Sequence, residues 1–566
     1  MMSEKRHSLK VIKGEGAVID EARPSVDLSD NEYYRIAGYS DDAGMPIIYF
    51  YLRRPHLVMG VKPTQIKKEL VAALCPASFL EAYWPDLDTA SKRVDAFRES
   101  VIAIAYSRGV YNTQRTRGVG AWMDDGRLVY SLGDRLLVDG AEFGLDQLPG
   151  SRNFYEGRPR LSDRPAIPLT TLAGKEFFHL CSLFSWDRSI DGALFAGWCF
   201  LAGVCGALRW RPHIYVYGPK GSGKTWIMSH VTRPAVGDIG LHVQSVTTEA
   251  GLRQMLRSDA RPVLFDEAEA ENESSMRRMQ SVFGLARQAS SESGGQILKG
   301  SANGNSEGYQ IRSMFCFSSI SPAIIQSSDD SRITELGLVE RHDTETFRQI
   351  TELTNRLLTR DFPAQMTARA LQKINQIYSA VSVFEPVLIE RLQSQRLADQ
   401  CAPLLAGSWY LCNDTLPTRD QATQIVYSAE WSSEDEVIET PDWQRLLDHL
   451  LDAHVRVEHT TRAKEHSIAE LIDAALAGEN IDIPQHIAEA ALRKNGMRVD
   501  PGKYLVISNN HPALRRILRG TPWPVKWSRV LRTATGAEVP DAPTWFGKGF
   551  KGRCIRIPLT RIFGNF

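Results

Sequence analysis

At 566 residues, with 43% apolar and 24% charged residues, the chain has room for about three or four domains with ordinary cores, which excludes a small disulfide-stapled module and a disordered polar chain. Lys plus Arg and Asp plus Glu both total 67, so the zero net charge points to no partner by itself. Eight cysteines without a C-x-x-C pair, and thirteen histidines without ligand spacing, argue against a zinc ribbon and for reduced core thiols in the cytosol.

Residues 1–30 are polar and aperiodic and read as a disordered leader with no signal peptide. An N-terminal α+β domain over 31–150 is expected from strands turning at Asp41-Asp42-Ala43-Gly44, a helix around Pro63–Cys75 and a hairpin from Val119 to Val138 turning at Asp124-Asp125-Gly126. Its Arg115, Arg117, Trp122 and Arg127 offer a nucleic-acid face, although a solvated face beside a core tryptophan is the favoured reading. A Pro-, Gly- and Arg-rich linker follows over 151–169. Gly192–Leu208 is uncharged for seventeen residues; it is short, Gly- and Ala-rich and abuts the next strand, so a buried helix is expected in place of a membrane span.

The chemistry starts at Ile214-Tyr215-Val216-Tyr217, a strand feeding Gly218-Pro219-Lys220-Gly221-Ser222-Gly223-Lys224-Thr225 and a helix from Trp226 onward. In G-x-x-x-x-G-K-[ST] the glycines let backbone N–H groups turn onto phosphates, the lysine reaches the β and γ oxygens, the hydroxyl ligates Mg2+ and the helix dipole faces the anion. After a strand at Leu241–Val246 and a helix opened by Thr247-Thr248-Glu249, the run Pro262–Phe265 ends in Asp266-Glu267. Asp266 would hold the Mg2+ together with Thr225, and Glu267 would polarise the attacking water of an ATP hydrolase; no N-K-x-D guanine signature is evident. Met276, Met279, Val282, Phe283 and Ala286 recur at helical spacing, and Ser293–Asn305 with Gly308–Arg312 reads as a glycine-rich hairpin. Met314–Phe317 is a strand ending in Ser318-Ser319, and Arg332 precedes a further strand, Ile333–Val339, expected at the rim and away from the P-loop strand.

A helical region over 346–430, with Leu404, Leu405, Trp409 and Leu411 as core candidates, is followed by an acidic linker over 431–442. The domain at 443–566 reads as winged-helix-like. Ser467 caps a helix, Pro484 starts a second that ends at Asn495-Gly496, and a hairpin turns at Asp500-Pro501-Gly502. On a helix starting at Pro512, Leu514, Ile517 and Leu518 face inward and Arg515, Arg516 and Arg519 outward. Residues 490–566 hold fifteen Lys or Arg against three acids, a net +12, interleaved with Trp523, Trp527 and Trp545. Lys526 and Lys551 join the arginines as DNA-binding candidates, the other reading being core tryptophans beside a solvated face.

Trp210-Arg211-Pro212-His213, the P-loop, Thr248–Gln254, Leu264–Glu269, Lys299-Gly300-Ser301-Ala302 and Ile311-Arg312-Ser313 together resemble the AAA+ replicative helicases of phages and mobile elements. These are superfamily 3-like and related to the helicase half of primase-helicases. The resemblance covers roughly 170–345 and implies an α/β AAA+ P-loop ATPase core there. It also implies a hexameric ring translocating on single-stranded DNA, with ATP and Mg2+ as cofactors, and a separate primase in trans. Lys299 would then be the lysine at the hairpin tip that grips DNA in the central channel, Ser318 or Ser319 the polar sensor of the γ-phosphate, and Arg332 the finger that reaches a neighbouring subunit's nucleotide. The family usually carries Asn or Thr at the sensor, so the serines could instead only cap a strand; Arg332 could equally be a surface ion-pair arginine and Lys299 a solvated loop lysine. Loading at origin DNA would fall to the basic C-terminal domain. The alternative is an ATP-dependent initiator, regulator or antiviral effector that assembles on DNA without unwinding it. Either protein would work in the host cytosol with no membrane contact.

Overall fold

The computed structural model describes residues 27–42, 45–244, 246–268, 272–291, 297–300, 306–320, 322, 332–340, 343–431, 441–459, 462–476, 483–500, 503–547 and 549–561. Residues 1–26 of the expected leader, 293–296 and 301–305 of the expected glycine-rich hairpin and 432–440 of the expected acidic linker lie outside them.

Three antiparallel strands, Tyr34–Asp42, Met45–Leu52 and Leu57–Val61, pack against the helices Lys68–Leu74, Ala77–Tyr83 and Ala90–Arg108. Tyr34, Phe50, Phe79 and Phe97 meet edge to face in this first core. The nineteen-residue helix was not read from the sequence, although Val94, Phe97, Val101 and Ala105 recur at helical spacing and are buried on its inner face. The expected hairpin forms between Gly120–Asp124 and Arg127–Ser131, with Asp125 and Gly126 both at positive φ, as a two-residue primed turn demands. It continues into Leu136–Val138 and Ala141–Phe143 as a four-stranded meander.

This meander is sewn to the parallel sheet that follows. Gly118 N–H donates to Ser258 O at 2.8 Å, Ala260 N–H donates to Val119 O at 2.8 Å, and a Cβ on Gly120 would lie 2.3 Å from Ala260 O. The segment 151–169 is packed as well: Phe154–Tyr155 pairs with Thr116–Arg117, and Leu161 and Leu169 are buried.

The central sheet has five parallel strands in the order Leu241–Val243, Val263–Phe265, Phe315–Ser319, His213–Tyr217, Ile333–Gly337. Helices cover both faces, which is why each strand reads as an apolar run. One face carries Glu249–Leu256 and Glu273–Ala289; on the latter Met279, Val282, Phe283 and Ala286 are fully buried, as their spacing requires. The other carries Thr171–Ser182, Asp191–Ala202, the 31-residue Phe362–Leu392 and Gln395–Cys412. The uncharged stretch at 192–208 is thus a buried helix with a short 3-10 turn, and among the described residues no helix is long and apolar enough to cross a membrane. Seven of the eight cysteines are buried and all are free thiols, Cys205 pushed up to about 12 by its burial.

Residues 441–561 have a core of their own. Ser467 and Glu470 cap the helix Ile468–Leu476 reciprocally, Glu470 N–H donating to Ser467 Oγ at 3.1 Å and Ser467 N–H to Glu470 Oε2 at 3.2 Å. The helix Gln485–Lys494 ends at Gly496 with φ +77, and Met497–Asp500, Tyr504–Ser508 and Cys554–Pro558 form an antiparallel sheet beside it.

Candidate functional site

The strand His213–Tyr217 runs into the glycine loop, where Gly221 and Gly223 sit at φ +86 and +93, a backbone that side-chain-bearing residues rarely adopt. At Gly218 the constraint is space: an added Cβ would meet Leu338 O at 2.4 Å. The chain then turns helical at Lys224–Ile227 and passes through one π turn, Met228–Thr232, before Arg233–Val236. Pro234 accounts for the π turn, since its ring would strike the carbonyl four residues earlier in an unbroken α-helix. Lys224 Nζ folds over the loop, donating to Gly218 O at 2.6 Å and Pro219 O at 2.8 Å, while Thr225 is exposed at the helix start. Trp226 stacks on His230 with ring centroids 4.8 Å apart and also packs on Phe347 and Phe184, which seats this helix.

The acid pair emerges at the same end of the sheet. Phe265 lies beside Phe317, and Tyr217 beside Ser319. One whole strand therefore separates the loop strand from the acid strand, opening a gap of roughly 9–10 Å between them. By strand alternation Asp266 follows Leu264 onto the face that holds the loop helix, whose Ile227 and Met228 pack in the same cluster. Glu267 has φ +55, an unfavourable conformation for this residue, and its N–H donates to Asp266 Oδ1 at 3.0 Å. That kink turns the exposed Glu267 carboxylate out of the strand line. A cleft of about 360 Å3 opens nearby, between Gly218-Pro219, Asp187 and Leu338-Val339.

The two serines separate. Ser319 Oγ is engaged by Tyr215 Oη at 2.9 Å, and that hydroxyl donates to Ala268 O, also at 2.9 Å, so Tyr215 ties the serine strand to the turn behind the acids. Ser318 alternates onto the other face with Cys316, whose Sγ lies 3.7 Å from Met228 of the loop helix. Sequence reading missed Tyr215; the available signal was a hydroxyl in an otherwise apolar buried strand, which needs a partner.

At the opposite end of the sheet Arg332 starts the rim strand. That strand is at the edge, as expected, but it pairs directly with the P-loop strand, His213 beside Ile333, which corrects the expectation that the two lie apart. What distances Arg332 from the loop is the length of the strand, roughly 16 Å for five residues. Its Nη1 donates to Arg287 O at 3.0 Å and its guanidinium lies 5.9 Å from the Trp210 ring centre. Arg211 and His213 bind the same helix end: Arg211 is fully buried and donates to Leu208 O at 2.6 Å and to Ala289 O at 2.5 Å. His213 Nδ1 accepts from Phe315 N–H at 3.1 Å, which leaves Nε2 as the donor to Ala286 O at 2.6 Å.

The hairpin forms between Ile297–Gly300 and Ser306–Tyr309. Lys299 pairs with Glu307 in the ascending arm, one residue before the last ladder pair, and so is not at the tip as expected.

In the C-terminal region Leu514 and Leu518 are buried, Ile517 is half-buried, and Arg515, Arg516, Arg519, Lys526 and Lys551 are exposed. Trp523 and Trp527 are core residues. Trp545 is 57% exposed, with Lys551 Nζ 5.5 Å from its ring centre.

No protein-family model matches this chain, and no curated protein matches it. Among solved structures, it aligns with the active helicase SCCmec type IV Cch at 10% identity over 94% of this chain and 95% of that one, with a TM-score of 0.44. The apo NrS-1 C-terminal region aligns at 9% identity over 77% of this chain and 96% of its own, with a TM-score of 0.29. Likeness of this degree leaves the function to the geometry of the site.

Proposed function

We propose that the chain is an ATP-driven motor of the AAA+ type, a ring helicase translocating on single-stranded DNA in the replication of a phage or mobile element. The observation that carries the reading is the glycine loop and the Asp266-Glu267 pair meeting at one end of a parallel sheet with a strand between them. That spacing leaves room for a terminal phosphate and a water between loop and acids. ATP with Mg2+ supplies an activated phosphoanhydride and neutralises its charge. The loop fits that group: Gly218 to Gly223 would present backbone N–H groups, and Lys224, already turned over the loop mouth, would exchange its carbonyl partners for phosphate oxygens. Thr225 and Asp266 would hold the Mg2+. Glu267, kinked outward, would orient and polarise the attacking water, and Ser318 is better placed than Ser319 to meet the terminal phosphate because Tyr215 occupies the latter.

The paired strands at 297–300 and 306–309 support a DNA-gripping element with Lys299 on its arm, and the exposed Arg515, Arg516, Arg519, Lys526 and Lys551 support duplex or origin binding by the C-terminal region. A separate primase would act in trans. An initiator or effector that assembles on DNA without unwinding it has the same ATP site and differs only in its output.

A DNA-stimulated ATPase assay beside forked-duplex unwinding tests the reading. Lys224→Ala should abolish nucleotide binding, whereas Glu267→Gln should keep ATP bound and lose at least a hundredfold in turnover. Near-normal turnover in Glu267→Gln would remove that residue from the chemistry, and ATPase without unwinding would favour the assembling initiator.

A further inference from the structure

Among the described residues Trp545 is the one exposed tryptophan of twelve, and its local packing shows why it stands out. Thr544–Trp545 pairs with Lys551–Gly552, Trp545 directly opposite Lys551, and the chain turns between them through Gly547 and Gly549 at φ +105 and +90. Side chains alternate along such a ladder. Thr544 Oγ1 lies 3.3 Å from Cys554 Sγ, and Phe546 is buried against Val506 and Cys554, so both point inward and Trp545 points out. On the facing strand a Cβ at Gly552 would meet Asn510 Oδ1 at 3.0 Å; Gly552 therefore faces the domain, while Lys551 and Arg553 face solvent. Phe550, edge to face with His511 at 4.5 Å, fixes the far side of the turn. An indole that is 57% exposed is thus held out on an anchored hairpin, with Lys551 Nζ 5.5 Å from its ring centre.

The surroundings of the ring select its partner. Of the large apolar side chains described in 441–561, Val525 and Val539 are exposed besides Trp545, too few for the apolar patch of a protein interface. Cations are plentiful instead: Arg515, Arg516, Arg519, Arg529, Lys551 and Arg553 are exposed and carry no ion pair among the described residues. Of the three acids in 490–566, Glu538 accepts from Tyr504 Oη at 2.7 Å and Asp500 pairs with Arg498 at 3.1 Å, which leaves Asp541. A flat π face with Lys551 and Arg553 on its own side of the hairpin matches a nucleobase and the phosphates that flank it.

We infer that Trp545 stacks on a base of an unpaired strand while Lys551 and Arg553 hold the adjoining phosphates. The inference rests on the reading of the C-terminal region as DNA-binding and deepens it by naming the substrate. Phosphate contacts alone would serve a duplex, whereas a base can lie on an indole only when it is out of its own stack.

The test measures fluorescence anisotropy with the full chain, without nucleotide, on three labelled probes: oligo(dT), an abasic strand of equal length and a blunt duplex. Trp545→Ala should weaken oligo(dT) binding about 5- to 150-fold, the worth of one stacked base, and leave the slope of log affinity against log salt unchanged, because no charge is removed. On the abasic strand and the duplex it should bind as the wild type does. Trp545→Phe should recover most of the oligo(dT) affinity, and Lys551→Ala should lower the salt slope on oligo(dT) by about 0.7. Photocrosslinking of a strand carrying iodouracil reads the contact directly: the adduct should map to the peptide that holds Trp545 and vanish in Trp545→Ala. Unchanged oligo(dT) affinity in Trp545→Ala, or absence of that adduct, overturns the inference. So does an equal loss on the abasic strand, which would make Trp545 a structural support, or a fall in assembly mass without loss of strand binding, which would give the ring to an interface between copies. Failure to bind any of the three probes would sink the DNA-binding reading together with the inference. If binding through Trp545 persists in a protein that unwinds no fork, the helicase reading fails and the stacking site stands.

Discussion

His213 can take a proton only by giving up its bond from Phe315 N–H, because Nδ1 is the acceptor there and Nε2 already donates. Burial, with Arg211 and Arg332 close by, holds its pKa down to about 3. The folded value lies below the unfolded 6.5, so the neutral ring contributes stability that is intact above pH 6.5 and is lost as the pH falls from there toward 3. The loss amounts to about 1.4 kcal/mol per unit over that window. We expect the melting temperature of the wild type to fall on acidification from pH 6.5 to 4.5, and His213→Gln to start lower at pH 7 but descend with a shallower slope. Melting curves across that range decide it; equal slopes would show that other groups dominate the acid limb. The same residue scale separates what was readable at the site. The placement of Lys224 and Thr225 after the glycine loop and of Asp266 and Glu267 at a strand end was legible because both are fixed by a local order of residues. Tyr215 and the different fates of Ser318 and Ser319 were not, because they depend on which face of a strand meets which neighbour.

Among the elements, the helices Asp191–Ala202 and Gln395–Cys412 meet backbone to backbone. A Cβ on Gly197 would lie 1.9 Å from Leu404 O, and one on Gly407 2.9 Å from Gly197 O. These glycines are needed for contact between backbones, not for a turn. Gly197→Ala should force the helices apart and lower stability by at least the 1–3 kcal/mol of ordinary overpacking, because the obstructing atom is a backbone carbonyl that cannot rotate away. The check is soluble yield and melting temperature, with Gly251→Ala as control: it sits on the helix Glu249–Leu256, where the nearest atom to an added Cβ is the Thr248 hydroxyl at 3.3 Å. No loss of stability in Gly197→Ala would mean that the two helices do not pack as described. From sequence, these two segments read as buried, and their mutual distance did not.

The molecule as a whole places Arg332 at the end of the sheet remote from the glycine loop, bound to Arg287 O and Trp210. Within one copy it lies away from the glycine loop, so the proposed arginine-finger role would require a neighbouring subunit and release of those contacts. Pure Arg332→Ala protein should then lose on the order of 1,000-fold or more in turnover, and mixing it with inactive Lys224→Ala protein should restore measurable ATPase, since mixed interfaces bring an intact loop to an intact finger. No recovery where mixed rings are shown to form would weaken the trans role, and a normal rate in pure Arg332→Ala would end it. The sequence by itself determined the elements whose signal is local: the strand, glycine loop and helix over 213–227, the acid pair at a strand end, the primed turn at Asp125-Gly126, the capped helix after Ser467 and the buried character of 192–202. Only the tertiary structure decided the strand order that sets the acids one strand from the loop, the pairing of Arg332's strand with the P-loop strand, the burial of Trp122, Trp523 and Trp527, and the docking of the 119–143 meander on the central sheet. Those are choices among partners far apart in the chain. A run of apolar residues states that a surface will be buried, while which surface covers it depends on the fit of shapes and hydrogen bonds across the whole core.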